Sequence, residues 1–227
     1  MKVTTDACLF GAWVASLIKK NREPGNILDI GTGTGLLSLM LAQATKSTRI
    51  DAVEPNEAAF QEAKDNFSSS PWGDRMHIRH QSIQDFSKEN TYDLIICNPP
   101  FFTDSQKGRN VEKNQALHVE NLSPSVLLDQ VTKLLAPSGS FFVLYPPAEM
   151  KVFEQQVSSD LYPIHRVYVK NSEGSQVFRT MTTFQTQPKK PVDSELIIRA
   201  ADGRYTAAFW ALLSDYYLEY NNPLLST

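Results

Sequence analysis

Apolar residues recur along the chain in short blocks with either helical or strand-like spacing. In the first block, residues 7–18, no charged residue occurs, and the large apolar side chains recur at the spacing of one helix face. Small residues form the other face, which lets a neighbouring element approach closely. The block is shorter than the roughly 20 residues that a bilayer span needs, and no cleavage site follows it. The pattern therefore predicts a buried helix rather than a signal peptide.

Five short apolar runs further along the chain predict β-strands with helices between them. The fourth run is apolar throughout, as expected for a strand that is covered on both faces. A helix N-terminus follows it, with Ser123 as N-cap and Pro124 at the first helical position. This alternation predicts a doubly wound, mostly parallel α/β sheet. The five runs are Asn26–Ile30, 49–53, 75–80, Tyr92–Cys97 and 140–145.

The last third of the chain departs from this rhythm. Runs 164–170 and 176–184 flank a turn cluster at 171–175 that is too short for a crossover helix. We therefore expect an antiparallel hairpin at the sheet edge. Spaced aromatic and leucine residues from Tyr205 to Tyr216 predict a final helix. The whole chain is expected to be one domain, in which an N-terminal helix (1–22) precedes a core (26–150) and the hairpin with the last helix (160–227).

Composition and charge narrow the class of protein. Hydrophobic residues make up 41% of the 227 residues, which is typical of a globular chain. The two cysteines are too few for a disulfide framework, so we expect a cytoplasmic protein in a reducing compartment. The net charge is −3, so any nucleic-acid surface must be assembled locally from lysine and arginine.

A glycine-rich loop at the end of the first strand is the first candidate for chemistry. Gly31, Gly33 and Gly35 let a ligand lie against bare backbone. Glu54, at the end of the next strand, can hold both hydroxyls of a ribose, and we expect it to pack little. A ligand-free turn and a dinucleotide site are the alternatives. The GxGxG spacing and Asp29, which suits an ammonium better than a pyrophosphate, favour S-adenosylmethionine (SAM).

The second candidate is the loop after the fourth strand, Asn98-Pro99-Pro100-Phe101. Ligands bind at the carboxyl ends of the strands in open α/β sheets. The Asn98 side-chain carbonyl and the Pro99 backbone carbonyl can accept both hydrogens of a planar amino group, which localises the nitrogen lone pair. The prolines fix these carbonyls in place, and Phe101 or Phe102 offers a stacking face for a base. A rigid turn is the structural alternative.

Together these motifs carry a resemblance to a known family. Asp-Ile-Gly-Thr-Gly-Thr-Gly, then Glu-Pro-Asn at 54–56, then Asn-Pro-Pro-Phe is the signature order of class I SAM-dependent amino-methyltransferases. Segments 2–6, 9–13, 70–72, 196–199 and 205–206 resemble the bacterial tRNA(Val) adenine-N6 methyltransferases in particular. The resemblance runs nearly from end to end. It implies a Rossmann-like class I methyltransferase fold, with SAM as cofactor and tRNA as substrate.

The resemblance also implies roles for individual residues. The target would be N6 of the adenosine 3′ of the anticodon, with the catalytic loop at Asn98, Pro99, Pro100 and Phe101. Ser82 stands where relatives have an acidic residue that holds the cofactor's adenine, with the Ile83 backbone N–H beside it. Asn98 would bridge the methyl donor and the target nitrogen. The implied cofactor-binding residues are Thr5, Asp6, Asp29, Gly31, Thr32, Gly33, Gly35, Glu54, Ser82, Ile83 and Asn98.

Several other residues are candidates for a functional role. A loop at 103–114 is either an RNA-gripping lid or a solvated loop, and the candidate RNA-binding residues are Lys2, Lys107, Arg109 and Lys113. The four histidines lack metal-ligand spacing, so no metal is expected. Cys97 is expected to be a small buried thiol rather than a nucleophile. Nothing in the sequence indicates a membrane or an obligate protein partner, so we expect a monomer.

Three alternative functions remain at this point. Guanine-N2 rRNA methyltransferases use a similar loop but carry a duplicated N-terminal half. Glutamine-amide (protein glutamine N5) methyltransferases prefer Asn-Pro-Pro-Tyr and add an N-terminal helical domain. A non-catalytic SAM-binding or RNA-binding module is the alternative from a different class, and the presence of Glu54 and Asn98 argues against it.

Overall fold

The computed structural model describes residues 3–87, 91–100 and 122–217 and contains one eight-stranded sheet. Its strand order is β3-β2-β1-β4-β5-β7-β6-β8. The first five strands run parallel to one another, which confirms the predicted doubly wound, mostly parallel α/β fold. They are β1 (Asn26–Ile30), β2 (Arg49–Glu54), β3 (Met76–His80), β4 (Tyr92–Cys97) and β5 (Leu135–Tyr145).

The remaining strands are β6 (Tyr162–Ser172), β7 (Val177–Gln185) and β8 (Val192–Arg199). The antiparallel hairpin of β6 and β7 is as predicted, and β7 also pairs antiparallel with β5. The hairpin is not the last element of the sheet, however, because β8 pairs in parallel with β6 and forms the edge. The sequence pattern does not reveal β8, since its first half is polar and only Leu196 and Ile198 are buried.

Within the described ranges, six α-helices cover the sheet. They are α1 (Thr5–Lys20), α2 (Leu36–Ala44), α3 (Glu57–Ser68), α4 (Pro124–Leu134), α5 (Pro147–Gln156) and α6 (Ala207–Leu213). The Ser123 hydroxyl caps α4, as predicted. The sequence pattern did not predict α5, although Pro147 at its first position is compatible with the start of a helix. The helix α6 is shorter than predicted at both ends. It begins after Tyr205, where the hydroxyl of Thr206 caps it, and it ends at Leu213, before Tyr216.

Two apolar layers, one on each face of the sheet, explain why β4 is apolar except at the exposed Asp93. Leu94 and Ile96 belong to the layer under α1, α2 and α6, whereas Ile95 and Cys97 belong to the layer under α4 and α5. The small face of α1 packs closely on α2, since a Cβ added at Gly11 would lie 2.7 Å from the Met40 sulfur. In the described part of the chain, none of the helices has the length and hydropathy of a membrane span.

Candidate active site

The register of the parallel strands brings the predicted site residues to one edge of the sheet. Ile30, the last residue of β1, pairs with Val53 on one side and with Cys97 on the other. Gly31, which directly follows β1, therefore lies between Glu54 and Asn98. Each of them is about one strand spacing away, or roughly 4.8 Å. The carboxyl end of β1 thus brings the glycine loop, a candidate ribose ligand and the candidate catalytic loop side by side.

The glycine loop needs its glycines for two different reasons. Gly31, Gly33 and Gly35 all have positive φ values, of 68°, 60° and 85°. A Cβ at Gly35 would lie 2.5 Å from the Phe67 ring, whereas a Cβ at Gly31 would meet nothing within 4 Å. Gly35 therefore permits internal packing of α2 on α3. Gly31 is exposed and faces open space in which a ligand can lie against the backbone.

Alanine at these two positions should separate ligand binding from packing. Both substitutions impose a left-handed conformation that costs about 1–2 kcal/mol. Gly35→Ala also forces the Phe67 ring to move, so we expect the larger loss of stability in thermal unfolding. Gly31→Ala should keep more stability yet weaken SAM binding at least tenfold in calorimetry. Equal SAM affinity of Gly31→Ala and the parent would show that no ligand lies against Gly31.

Asp29 is the buried carboxylate at the base of the loop. Its Oδ2 accepts hydrogen bonds from the hydroxyls of Thr32 (2.6 Å) and Ser38 (2.7 Å). Its Oδ1 is also buried and makes no hydrogen bond within the described ranges. Burial raises the pKa of Asp29 to about 6. A fully buried carboxylate with one unused oxygen suits a cationic ligand, such as the ammonium of a methionine moiety.

This raised pKa predicts a pH dependence of cofactor binding. In the free protein, Asp29 takes up a proton as the pH falls through about 6, and the neutral acid no longer attracts an ammonium. We therefore expect SAM affinity to fall progressively between pH 7.5 and pH 5 in calorimetric titrations. Asp29→Asn should bind SAM weakly at every pH, with a flat profile. A flat profile in the parent would remove Asp29 from the cofactor site.

Glu54 ends β2 and is more deeply embedded than its sequence position indicated. Its side chain is only 6% exposed. Oε2 accepts a hydrogen bond from the Gly33 backbone N–H (2.8 Å), and Oε1 accepts one from the Asn56 N–H (2.9 Å). The expectation that this carboxylate packs little was therefore wrong. Each oxygen keeps a second lone pair, so Glu54 can order the glycine loop and still accept ribose hydroxyls.

Asn98 and Pro99 directly follow β4. The Asn98 side-chain oxygen is buried and accepts no hydrogen bond from any described residue. Buried carbonyl oxygens without a partner are rare and costly, so this acceptor is placed to receive a donor from a ligand. Pro99 is buried and Pro100 is exposed. Burial raises the pKa of the adjacent Cys97 thiol, and the charge of Asp29 raises it further, so Cys97 is an inert buried thiol.

The N-terminal helix starts at this same edge of the sheet. The Asp6 carboxylate accepts a hydrogen bond from Arg179 Nε at 2.7 Å. Thr180, the next residue of β7, pairs with Tyr145 at the carboxyl end of β5, so Thr5 and Asp6 lie near the candidate site. Burial alone would raise the pKa of Asp6, but hydrogen bonds from Thr4 and Arg179 hold the pKa below its usual value.

Ser82 and Ile83 follow β3, whose last residue His80 pairs with Glu54. The Ser82 hydroxyl donates to Asp85 Oδ2 at 2.6 Å, which links the two ends of this short turn. Ile83 is buried in the layer under α4. These two residues therefore lie beside β2 at the correct edge, and the Ser82 hydroxyl is engaged with Asp85 rather than open to a ligand.

Other predicted site residues lie outside the described ranges. They are Lys2, Phe101, Lys107, Arg109 and Lys113, together with the loop 103–114. Within the described ranges, no three histidine, cysteine or acidic side chains come together as a metal site would require.

The structure adds supporting residues that no sequence pattern predicted. Ser38 holds Asp29, and its signal was a buried polar residue in the first turn of the mostly apolar helix α2. Asn56 caps α3 through its side chain, directly after Glu54. Arg179 holds Asp6 from a position 173 residues away in the chain, and no local pattern could have linked the two.

The residues present fit SAM. The unpartnered Asp29 oxygen suits its ammonium, the open space at Gly31 suits its methionine chain, and Glu54 retains lone pairs for its ribose. SAM bound in this way would place its methyl group toward the neighbouring Asn98.

Comparison with known proteins gives consistent results. Residues 12–143 match the family model "Methyltransferase small domain". A tRNA1(Val) (adenine(37)-N6)-methyltransferase from Cytophaga hutchinsonii is 41% identical over 96% of this chain and 91% of its own length. Proteins with the same description from Photorhabdus laumondii and Flavobacterium psychrophilum are 38% and 36% identical, over 97% and 96% of this chain and 90% and 93% of their own lengths.

Solved structures share the fold at low sequence identity. A protein from Agrobacterium tumefaciens, described as a predicted O-methyltransferase, has a TM-score of 0.71 at 13% identity, covering 92% of this chain and 95% of its own. The N-methyltransferase NodS from Bradyrhizobium japonicum, in complex with S-adenosyl-L-homocysteine, has a TM-score of 0.57 at 14% identity, covering 79% of this chain and 86% of its own.

Proposed function

Because this chain belongs to the tRNA1(Val) (adenine(37)-N6)-methyltransferase family, we propose that it methylates the N6 amino group of the adenosine 3′ of the anticodon in a valine tRNA. The observation that carries the proposal is the unpartnered Asn98 oxygen, one strand away from Gly31 and the unpartnered Asp29 oxygen. We further propose that the enzyme acts as a monomer in the cytoplasm.

The residues divide the work between cofactor and base. SAM, when bound, supplies an electrophilic methyl group. Asp29 and Glu54 hold its charged and ribose ends, and the N-terminal residues Thr5 and Asp6 lie over its entrance. The Asn98 amide oxygen and the Pro99 carbonyl accept the two amino hydrogens of the adenine. These two acceptors would localise the nitrogen lone pair, and because they are fixed before the reaction they would stabilise the positive charge that develops on the nitrogen.

The adenine has to leave its stack to reach this position. Phe101, next to Pro100, is proposed to stack on the extruded base, and Lys2, Lys107, Arg109 and Lys113 are proposed to contact the RNA backbone. The similarity to the relatives extends through the N-terminal helix and the C-terminal segment, which favours adenosine over the guanine and glutamine-amide alternatives.

Labelled methyl transfer tests the proposal. The protein is incubated with methyl-labelled SAM and separate pools of tRNA, rRNA, DNA and protein, and the labelled nucleosides are then identified. We expect N6-methyladenosine in tRNA only. A valine tRNA transcript with guanosine in place of the adenosine 3′ of the anticodon is the matched control and should stay unlabelled. Labelled N2-methylguanosine in rRNA, labelled protein, or SAM binding without any transfer would each contradict the proposal.

A further inference from the structure

A cavity of about 240 Å³ lies on the hairpin side of the sheet, and no glycine-loop residue lines it. Its walls come from the strand ends of β6, β7 and β8 and from the start of α1, and they are Thr5, Asp6, Asn171, Phe178, Ile198, Arg199 and Tyr205. The mechanism proposed above uses none of these residues except Thr5 and Asp6. Pockets for drug-sized ligands measure roughly 300–1,000 Å³, so this cavity suits a group as small as one base.

The strand directions place this cavity at the same edge of the sheet as the catalytic loop. The strand β7 is antiparallel to β5 and to β6, and β8 is parallel to β6. The ends of β6 and β8 and the start of β7 therefore lie at the edge where β4 ends. Two to four strand spacings separate the cavity from Asn98, or about 10–19 Å. Such a distance separates nucleotides of one RNA loop, not atoms of one base.

Arg199 is the cation in the cavity wall, and the Asp6 carboxylate in the same wall is paired with Arg179. The guanidinium carbon lies 4.5 Å from the centre of the Tyr205 ring, and Nη1 donates a hydrogen bond to the Gly203 carbonyl at 2.7 Å. These contacts hold an exposed cation in a defined place. Across residues 3–87, 91–100 and 122–217, no carboxylate pairs with Arg199.

Neighbouring cations at this edge are already neutralised. Arg179 pairs with Asp6, and Lys170 pairs with Glu195. The positive charge of Arg199 is therefore available to an anion, and a phosphodiester is an anion that this guanidinium binds well.

The other walls suit a base. Phe178 is half-buried, and the Arg179 guanidinium carbon lies 5.4 Å from the centre of its ring. A base can stack on the ring beside this cation, because bases stack on aromatic rings without regard to sequence. The Thr5 hydroxyl and the Asn171 amide can bond to the edge of a base. An aromatic ring, an amide and a fixed cation around one small cavity are the groups that bind a single-stranded nucleotide.

We infer that this cavity binds one nucleotide of the substrate RNA next to the target adenosine, with the base against Phe178 and its phosphate on Arg199. The inference rests on the proposed function and deepens it, because it adds a subsite for a flanking nucleotide. The subsite also gives the choice of the target adenosine a physical basis, since a flanking nucleotide fixed here sets which base reaches Asn98.

Arg199→Ala tests the subsite, with Arg22→Ala as the matched control. Arg22 is exposed, carries the same charge and lies at the opposite edge of the sheet. Affinity for a stem-loop RNA that contains the target adenosine is measured at several salt concentrations. We expect Arg199→Ala to weaken RNA binding about tenfold and to reduce the log–log salt slope by about 0.7, the value for one phosphate contact on a single strand. Arg199→Lys should restore the slope.

Three further measurements locate the effect. Asn171→Ala should weaken binding severalfold without changing the salt slope, because it removes a neutral contact. For Arg199→Ala and for Asn171→Ala, the SAM affinity and the single-turnover rate at saturating RNA should match those of the parent. On an RNA that lacks the flanking nucleotide proposed to occupy the cavity, Arg199→Ala should bind as tightly as the parent does.

The outcomes separate this inference from the proposed function. If the parent methylates tRNA and Arg199→Ala binds RNA as Arg22→Ala does, the subsite is wrong and the proposed function stands. If Arg199→Ala weakens SAM binding instead, the cavity belongs to the cofactor site. If the parent methylates no RNA in the pools above, the proposed function fails and the subsite with it.

Discussion

Asn98→Ala is expected to lower the single-turnover rate of methyl transfer to valine tRNA by about a hundredfold to a thousandfold. The substitution removes one of two preorganised acceptors at the nitrogen that becomes positive, and the loss of one such partner has an effect of this size. SAM affinity should change much less, because Asp29, Glu54 and the glycine loop remain. Rates are measured at saturating SAM and RNA, and SAM affinity is measured by calorimetry.

The stability of this variant should stay close to that of the parent. The Asn98 side-chain oxygen accepts no hydrogen bond from a described residue, so its removal breaks no bond there. Asn66→Ala is the matched control, since Asn66 also contacts the glycine loop, donating to the Thr34 carbonyl at 2.9 Å. A parental rate in Asn98→Ala would mean that the loop is only a rigid turn and that the amino-methyltransferase mechanism is wrong.

Glu54→Ala is expected to weaken SAM binding by about 1.5–3 kcal/mol, the range for hydrogen bonds to a charged group. It should also lower the free energy of unfolding by about 1–3 kcal/mol, because the N–H groups of Gly33 and Asn56 lose their acceptor. Calorimetry measures the first effect and denaturant titration the second.

A neighbouring carboxylate provides the control for this variant. Glu57→Ala removes the same charge from the first turn of α3, and its side chain is exposed and pairs with His80 rather than with the glycine loop. We expect near-parental SAM affinity and stability for Glu57→Ala. If Glu54→Ala kept the SAM affinity of the parent, Glu54 would only support the loop, and the ribose would bind elsewhere.

The candidate site could be predicted from the sequence because its signals are local. Positive φ at Gly31 requires glycine, and a carboxylate at the end of β2 or an asparagine at the end of β4 follows directly from the strand it terminates. Parallel strands place their carboxyl ends at one edge of a sheet, so adjacent strand ends imply adjacent side chains. The local signals for β1 to β7 and for α1 to α4 were sufficient for the same reason.

Other features depended on contacts between distant segments. Glu54 is a support for two backbone N–H groups as well as a ligand candidate, and only the packed loop reveals this second role. The polar first half of β8 has no strand pattern by itself and is paired because β6 supplies a partner.

The sequence by itself determined the fold class, the glycine loop and the Asn98 loop of this protein, since each is set by short-range backbone and periodicity constraints. The tertiary structure alone decided that β8 forms the edge of the sheet, that Arg179 holds Asp6, and that Arg199 and Phe178 line the same cavity. The physical reason is that hydrogen bonding between strands and ion pairing act through space, and a chain pattern does not record which distant segments will meet.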